Sequence, residues 1–290
     1  MHEDEIDVDT ALVRDLLRRQ FPHLAGHQLI RVASQGTVNA IYRLGSDLVV
    51  RLPLTPRWHD IDAESCWLGA LAPRLPVKIP EMIAIGEADD TYPWKWGVLR
   101  WLEGSPWRLE DVTDPVAAAV QLADVIGTLR TLDPESLPCG TLTRRPPLHA
   151  IDERVRGAVA GARHLIDGDA FLAAWQDAIA GPEVNGNPPL SHGDLLPGNV
   201  LVHQGCLQAV IDWSGIGCGD PAREAMAAWT LFAGDSRAAF RAQLSIDDDT
   251  WRRAKGWALT RIFNVAYYEV TNPVFSLDAR RTIAEVLADQ

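Results

Sequence analysis

Strand-like alternation in this chain of 290 residues is concentrated in its first hundred, with one exception at 191–213, and the segregation limits the fold to a few layouts. The stretch "HQLIRVASQGTVNAIYRLGSDLVVRLPL" (27–54) alternates apolar and polar positions, with a glycine-containing break at 34–37 and a Gly-Ser-Asp turn at 45–47. That pattern predicts three antiparallel strands. "EMIAIG" and "WKWGVLRWLEG" supply two more. Between them, Trp58, Ile61, Trp67, Leu68 and Leu71 follow helical spacing. A further helix opens the chain, with Leu12, Val13, Leu16 and Leu17 on one face, a cap at Asp9 and a stop at Pro22. After "EGSP" (103–106) the pattern turns helical, at about 115–131, 149–164, 169–180 and 221–233. Strands first and helices second give an α+β, bilobal expectation, with one lobe over 1–102 and the other over 103–290.

Composition narrows the function. Apolar residues make up 47% of the chain, enough for substantial cores, and the net charge of -12 argues against nucleic acid or an anionic membrane as partner. The N-terminal "MHEDEIDVDT" is acidic where a signal peptide is basic, and "AMAAWTLFAG" is too short to span a bilayer, so a soluble, cytoplasmic protein is expected. Cys66, Cys139, Cys206 and Cys218 are scattered, which predicts neither a disulfide framework nor a structural zinc site.

The chemistry concentrates in "SHGDLLPGNVLVHQGCLQAVIDW" (191–213). Two apolar runs separated by "HQGC" should pair as an antiparallel hairpin, returning the chain to its starting end. Asn199 precedes the first run and Asp212 follows the second, so the two side chains meet at one mouth, where Asp194 also enters. A carboxylate and an amide oxygen suit a hard ion such as Mg²⁺, with nucleotide phosphates supplying further oxygens. Asp194 is then left to accept a proton. H-x-D-x-x-x-x-N followed by a strand pair and Asp is the spacing of a phosphoryl-transfer site.

"HGDLLPGNVLV" and "VIDWSGIGCGDPARE" together resemble the catalytic loop and metal-binding segment of the aminoglycoside phosphotransferase family, antibiotic kinases with a protein-kinase-like fold. The resemblance implies Asp194 as general base, Asn199 and Asp212 as Mg²⁺ ligands and His192 as a structural brace. It implies Arg51, where the family often has Lys, as the phosphate contact, paired with Glu64. Ser34, Gly36, Thr37 and Asn39 fall on the nucleotide-covering loop, although only one glycine is present there. Arg100, Trp101 and Leu102 match the connector that faces the purine. ATP or GTP is the implied donor and a small molecule the implied acceptor. The acidic residues Asp220, Glu224 and Glu269 suggest an amine-bearing acceptor, with Glu224 standing where the family usually has Asp.

Other classes fit less well. A protein kinase needs a long activation segment, and only seven residues separate Asp212 from Asp220. A metal-dependent hydrolase using His192 and Asp194 lacks a second histidine cluster. A kinase acting on a non-antibiotic metabolite keeps the same machinery. A nucleotide-binding module without catalysis would not require Asp194, Asn199 and Asp212 together.

Overall fold

The computed structural model of the protein describes residues 6–32, 38–55, 60–137, 139, 142, 144–182, 184 and 186–289. Helix α1 (Thr10–Gln20) begins where its capping chemistry places it, with the Leu12 amide donating to Asp9 Oδ1 at 2.7 Å. Its Val13, Leu16 and Leu17 are buried against an antiparallel five-stranded sheet. The strands are β1 (Leu29–Arg31), β2 (Asn39–Leu44), β3 (Leu48–Pro53), β4 (Met82–Gly86) and β5 (Trp96–Arg100), in the order β1-β2-β3-β5-β4. Helix α2 (Ile61–Leu71), capped by Asp60, is inserted between β3 and β4. Trp58, expected in the same helix, lies outside the described residues.

The remainder is mostly helical. Its elements are β6 (Ser105–Pro106), α3 (Pro115–Thr131), α4 (Asp152–Ala162), α5 (Gly168–Ile179), β7 (Leu190–Ser191), β8 (Val200–His203), β9 (Cys206–Val210) and β10 (Gly217–Cys218). Then come α6 (Ala222–Ala225), α7 (Ala227–Thr230), α8 (Gly234–Leu244), α9 (Asp248–Leu259), α10 (Ile262–Tyr267) and α11 (Pro273–Ala288). The continuous helix expected over 221–233 is broken at Met226. Its carbonyl accepts from both the Trp229 and Thr230 amides, a tightened turn that divides α6 from α7.

Two apolar clusters organise the chain. α1 and the sheet share one, around Leu16, Leu17, Tyr42, Val50 and Val98. The larger one joins Trp67, Leu68 and Leu71 of α2 to Leu122 and Ile126 of α3 and to Val200 and Val210 of the hairpin. Each fully buried side chain of this kind contributes roughly 1.5–3 kcal/mol. α2 therefore follows the sheet in sequence but packs into the core of the helical part.

Cys66 on α2 and Cys139 beyond α3 are joined by a disulfide, their Cα atoms 5.4 Å apart across 73 residues. This overturns the expectation of no disulfide. Tertiary packing seats α2 against the chain after α3, and local cysteine spacing carries no trace of that contact. Closing a loop of this length should stabilise the protein by about 4 kcal/mol through the unfolded state. Urea unfolding without reductant should give a correspondingly lower free energy for Cys139→Ser, and equal midpoints and slopes would contradict the assignment.

Candidate active site

The hairpin forms with Gln204 and Gly205 at its turn, both in the left-handed region (φ 51° and 78°), matching the twist of the two strands. At its open end the Ile211 amide donates to the Asn199 carbonyl at 2.8 Å, so Asn199 and Asp212 emerge side by side. Asn199 Nδ2 donates to the Asp194 carbonyl at 2.9 Å and to Asp194 Oδ2 at 2.8 Å. With its nitrogen committed, Asn199 keeps Oδ1 as the atom able to ligate a cation. Asp212 adopts a left-handed conformation (φ 61°, ψ 66°) and accepts from Ser214 Oγ at 2.6 Å. Such strain in a non-glycine residue persists only where the surroundings impose it. Burial raises the Asp194 pKa above the usual carboxylate range; the Asp212 charge pushes it the same way, and His192, Arg223 and Arg261 pull against both.

The loop carrying Asp194 is held from beneath. His192 is fully buried, packs edge-on against Trp213 and accepts from the Asp194 amide at Nδ1, 3.2 Å. Its Nε2–H is then directed at the Ile211 carbonyl, 3.0 Å away. Glu224, 2% exposed, accepts from the Gly193 amide at 2.7 Å and the His192 amide at 3.3 Å. Its carboxylate thus satisfies two buried donors of the loop.

Arg51 on β3 meets Glu64 on α2 in a buried, two-pronged ion pair, Nη1 donating to Oε1 at 2.9 Å and Nη2 to Oε2. Burial alone would lower the Arg51 pKa, but the charge and hydrogen bonds of Glu64, joined by the charge of Asp212, leave it raised. The field of Asp212 therefore reaches the Arg51–Glu64 pair across the cleft. Asn39 opens β2, and its Oδ1 is buried without a partner among the described residues. Ser34, Gly36 and Thr37, the rest of the expected covering loop, lie outside the described residues.

The connector follows β5. The Arg100 side chain pairs on the surface with Glu81 and Asp47, and its amide donates to the Glu81 carbonyl at 2.9 Å. The Trp101 amide donates to the Asp47 carbonyl at 2.8 Å, and the guanidinium of Arg43 lies 4.6 Å above its ring. Leu102 is half-buried beside it.

The acidic residues expected at the acceptor are otherwise engaged. Asp220 forms a buried ion pair with Arg253 at 2.9 Å, and Glu224 binds the loop carrying Asp194, so neither offers a carboxylate to a ligand amine. Glu269 is exposed and lies 3.3 Å from His164. These three were grouped by being acidic and in one lobe, a criterion blind to the arginines and amides that claim two of them. What sequence reading missed is a group of arginines near Asp194: Arg145, Arg223 and Arg261. They come from segments far apart in sequence, and no spacing relates them.

With this geometry in place, the comparisons with known proteins agree on its class. The phosphotransferase enzyme family matches residues 29–257, and the chain belongs to that family. No curated protein matches the sequence. Among solved structures, the GDP and kanamycin complex of APH(2")-IIia superposes with a TM-score of 0.74 at 18% identity, over 96% of this chain and 99% of that one. The GDP complex of wild-type aminoglycoside 2'-phosphotransferase-IIIa gives 0.75 at 17% identity, over 97% and 99%. Macrolide 2'-phosphotransferase MphH from Brachybacterium faecium gives 0.62 at 21% identity, over 95% and 97%. The fold is the α+β, bilobal one of these phosphotransferases.

Replacing Glu224 by Ala would leave the Gly193 and His192 amides without an acceptor, each at roughly 1–3 kcal/mol. Glu224→Ala should therefore lower the unfolding free energy by about 2–6 kcal/mol on that range. A thermal midpoint equal to that of the parent would contradict this role.

Proposed function

We propose that the protein is a kinase that transfers the γ-phosphate of ATP or GTP to a hydroxyl of a small molecule, antibiotics being one class, suggested by the relatives' names, and other hydroxylated metabolites another. The observation that carries the reading is the convergence of Asp194, Asn199 and Asp212 at one end of the hairpin, facing the buried Arg51–Glu64 pair.

The donor set fits a hard cation: an amide oxygen from Asn199 and the carboxylate of Asp212. Among the described residues no three His, Cys, Asp or Glu side chains gather to hold a metal. Mg²⁺, when bound, supplies neutralisation of the phosphate charge. Arg51, fixed by Glu64, holds a phosphate oxygen through its fork of donors. Asp194, its carboxylate oriented by Asn199 Nδ2, accepts the acceptor hydroxyl's proton as the oxygen attacks phosphorus. In this reading residues 1–102 hold the nucleotide, with Asn39 and the covering loop above it and the Arg100–Leu102 backbone beside the purine. Residues 103–290 supply the catalytic loop and the acceptor. A cytoplasmic location suits the use of a nucleoside triphosphate, and no helix among the described residues is long and apolar enough to cross a membrane.

Coupled release of ADP or GDP over a panel of aminoglycosides, macrolides, cyclic peptide antibiotics and hydroxylated metabolites tests the reading. Acceptor-dependent release is expected with at least one compound. Asp194→Asn should reduce that turnover by about 10²- to 10⁴-fold, since the amide cannot take the proton. Its Mg·nucleotide affinity should stay within twofold of the parent, roughly the 0.5 kcal/mol scatter of a neutral substitution. Unchanged turnover in a chemistry-limited assay would remove Asp194 from the mechanism.

A further inference from the structure

Arg145 lies where no feature of the sequence placed it. Its amide donates to the Cys218 carbonyl at 3.0 Å, and Arg144 bridges to Cys218 in parallel register, so the segment is anchored along β10. From there the side chain crosses Gly219 and ends between two loops of the active site. A Cβ on Gly193 (φ 82°) would lie 2.4 Å from Arg145 Nη2, and one on Gly215 would lie 3.4 Å from the same atom. Gly193 directly precedes Asp194, and Gly215 follows Asp212 by three residues. Nη2 donates to the Gly215 carbonyl, while Nε is buried without a partner among the described residues.

A second guanidinium stands beside it. Arg223 donates from Nε to the Gly193 carbonyl at 2.9 Å and stacks 5.0 Å from the Trp257 ring. Neither arginine is in an ion pair among the described residues. Burial, together with the neighbouring charge of Arg145, pushes the Arg223 pKa down to about 10 against the opposing charges of Glu224 and Asp194.

Arg145, though not Arg223, also borders a cavity of about 220 Å³, which it lines with Arg144, Leu148, Gly219, Asp220 and Arg253. Asp220 is spent on Arg253, so Arg144 and Arg145 are the unneutralised charges of its described wall. The volume is below the roughly 300–1,000 Å³ of pockets that enclose a whole drug-sized ligand, and matches a charged fragment of one.

We propose that this cavity binds a carboxylate or phosphate group of the acceptor, with Arg144 and Arg145 as counter-ions, making the acceptor an acidic hydroxyl compound and not a polycation. The inference rests on the kinase reading above and specifies its substrate class. A planar fork of guanidinium donors matches either oxyanion in two-point contact. A polyamine would instead have to lodge beside two unpaired cations while Asp220 and Glu224 are otherwise engaged.

The test uses the full chain saturated with Mg·ADP, titrated separately with inorganic phosphate, acetate and kanamycin. One of the two anions should bind saturably, the better one telling phosphate from carboxylate, and kanamycin should not. Loss of a charged hydrogen-bond partner should weaken that anion about tenfold or more in Arg145→Gln. Arg144 is exposed, so Arg144→Gln should also weaken it while leaving Mg·ADP affinity intact. Absence of anion binding, indifference to both variants, or kanamycin binding strengthened by Arg145→Gln would each overturn the proposal. Failure of Mg·ADP to bind, seen before any anion is added, would instead remove the kinase reading on which it stands.

Discussion

The hydrogen bond from the Ile211 amide to the Asn199 carbonyl closes the open end of the hairpin, and the active-site geometry depends on that closure. It exists because Gln204 and Gly205 accept left-handed backbone at the turn, so the two strands return in register. Asn199 then stands beside Asp212, and the Asn199 amide orients the carboxylate of Asp194. His192 and Glu224 hold the same loop from the buried side through its backbone amides. A loop held at so many backbone positions leaves Asp194 little freedom to move, as the role of proton acceptor proposed for it requires.

α2 links this site to the sheet. Glu64, Trp67, Leu68 and Leu71 recur at i, i+3, i+4 and i+7, one helical face, and all four are buried. The apolar members join the core of the helical part, while Glu64 reaches Arg51 on β3. Removing either partner of such a pair would strand a buried charge, so the pair fixes the distance between sheet and helix. The disulfide at Cys66, two residues from Glu64, ties the same helix to the chain after α3. Three different forces therefore set the position of one helix.

What was legible in the sequence was whatever depends on local order. The Asp9 cap, the alternation of β2 and β3, and the hairpin with its flanking Asn199 and Asp212 are short-range patterns with short-range causes. The Arg51–Glu64 pairing belongs with them once a family resemblance assigns both positions. The destinations of Asp220 and Glu224 were not legible, because their partners come from α9 and from the backbone of a distant loop. Arg145, Arg223 and Arg261 approach Asp194 from separate elements, and Cys66 meets Cys139 only after α2 has packed. Relatives at 17–21% identity share the fold with this chain, which leaves the walls of the acceptor site to be read from its own side chains.

The central claim is that the cleft holds a nucleoside triphosphate through a Mg²⁺ ion seated on Asn199 and Asp212. Calorimetric titration of ATP and of GTP into the full chain, once with Mg²⁺ and once with EDTA, tests it most directly. The account predicts one saturable site for at least one nucleotide in Mg²⁺, weakened about tenfold or more in EDTA, the equivalent of one lost charged contact. Equal affinity in the two buffers, or no binding of either nucleotide, would contradict it.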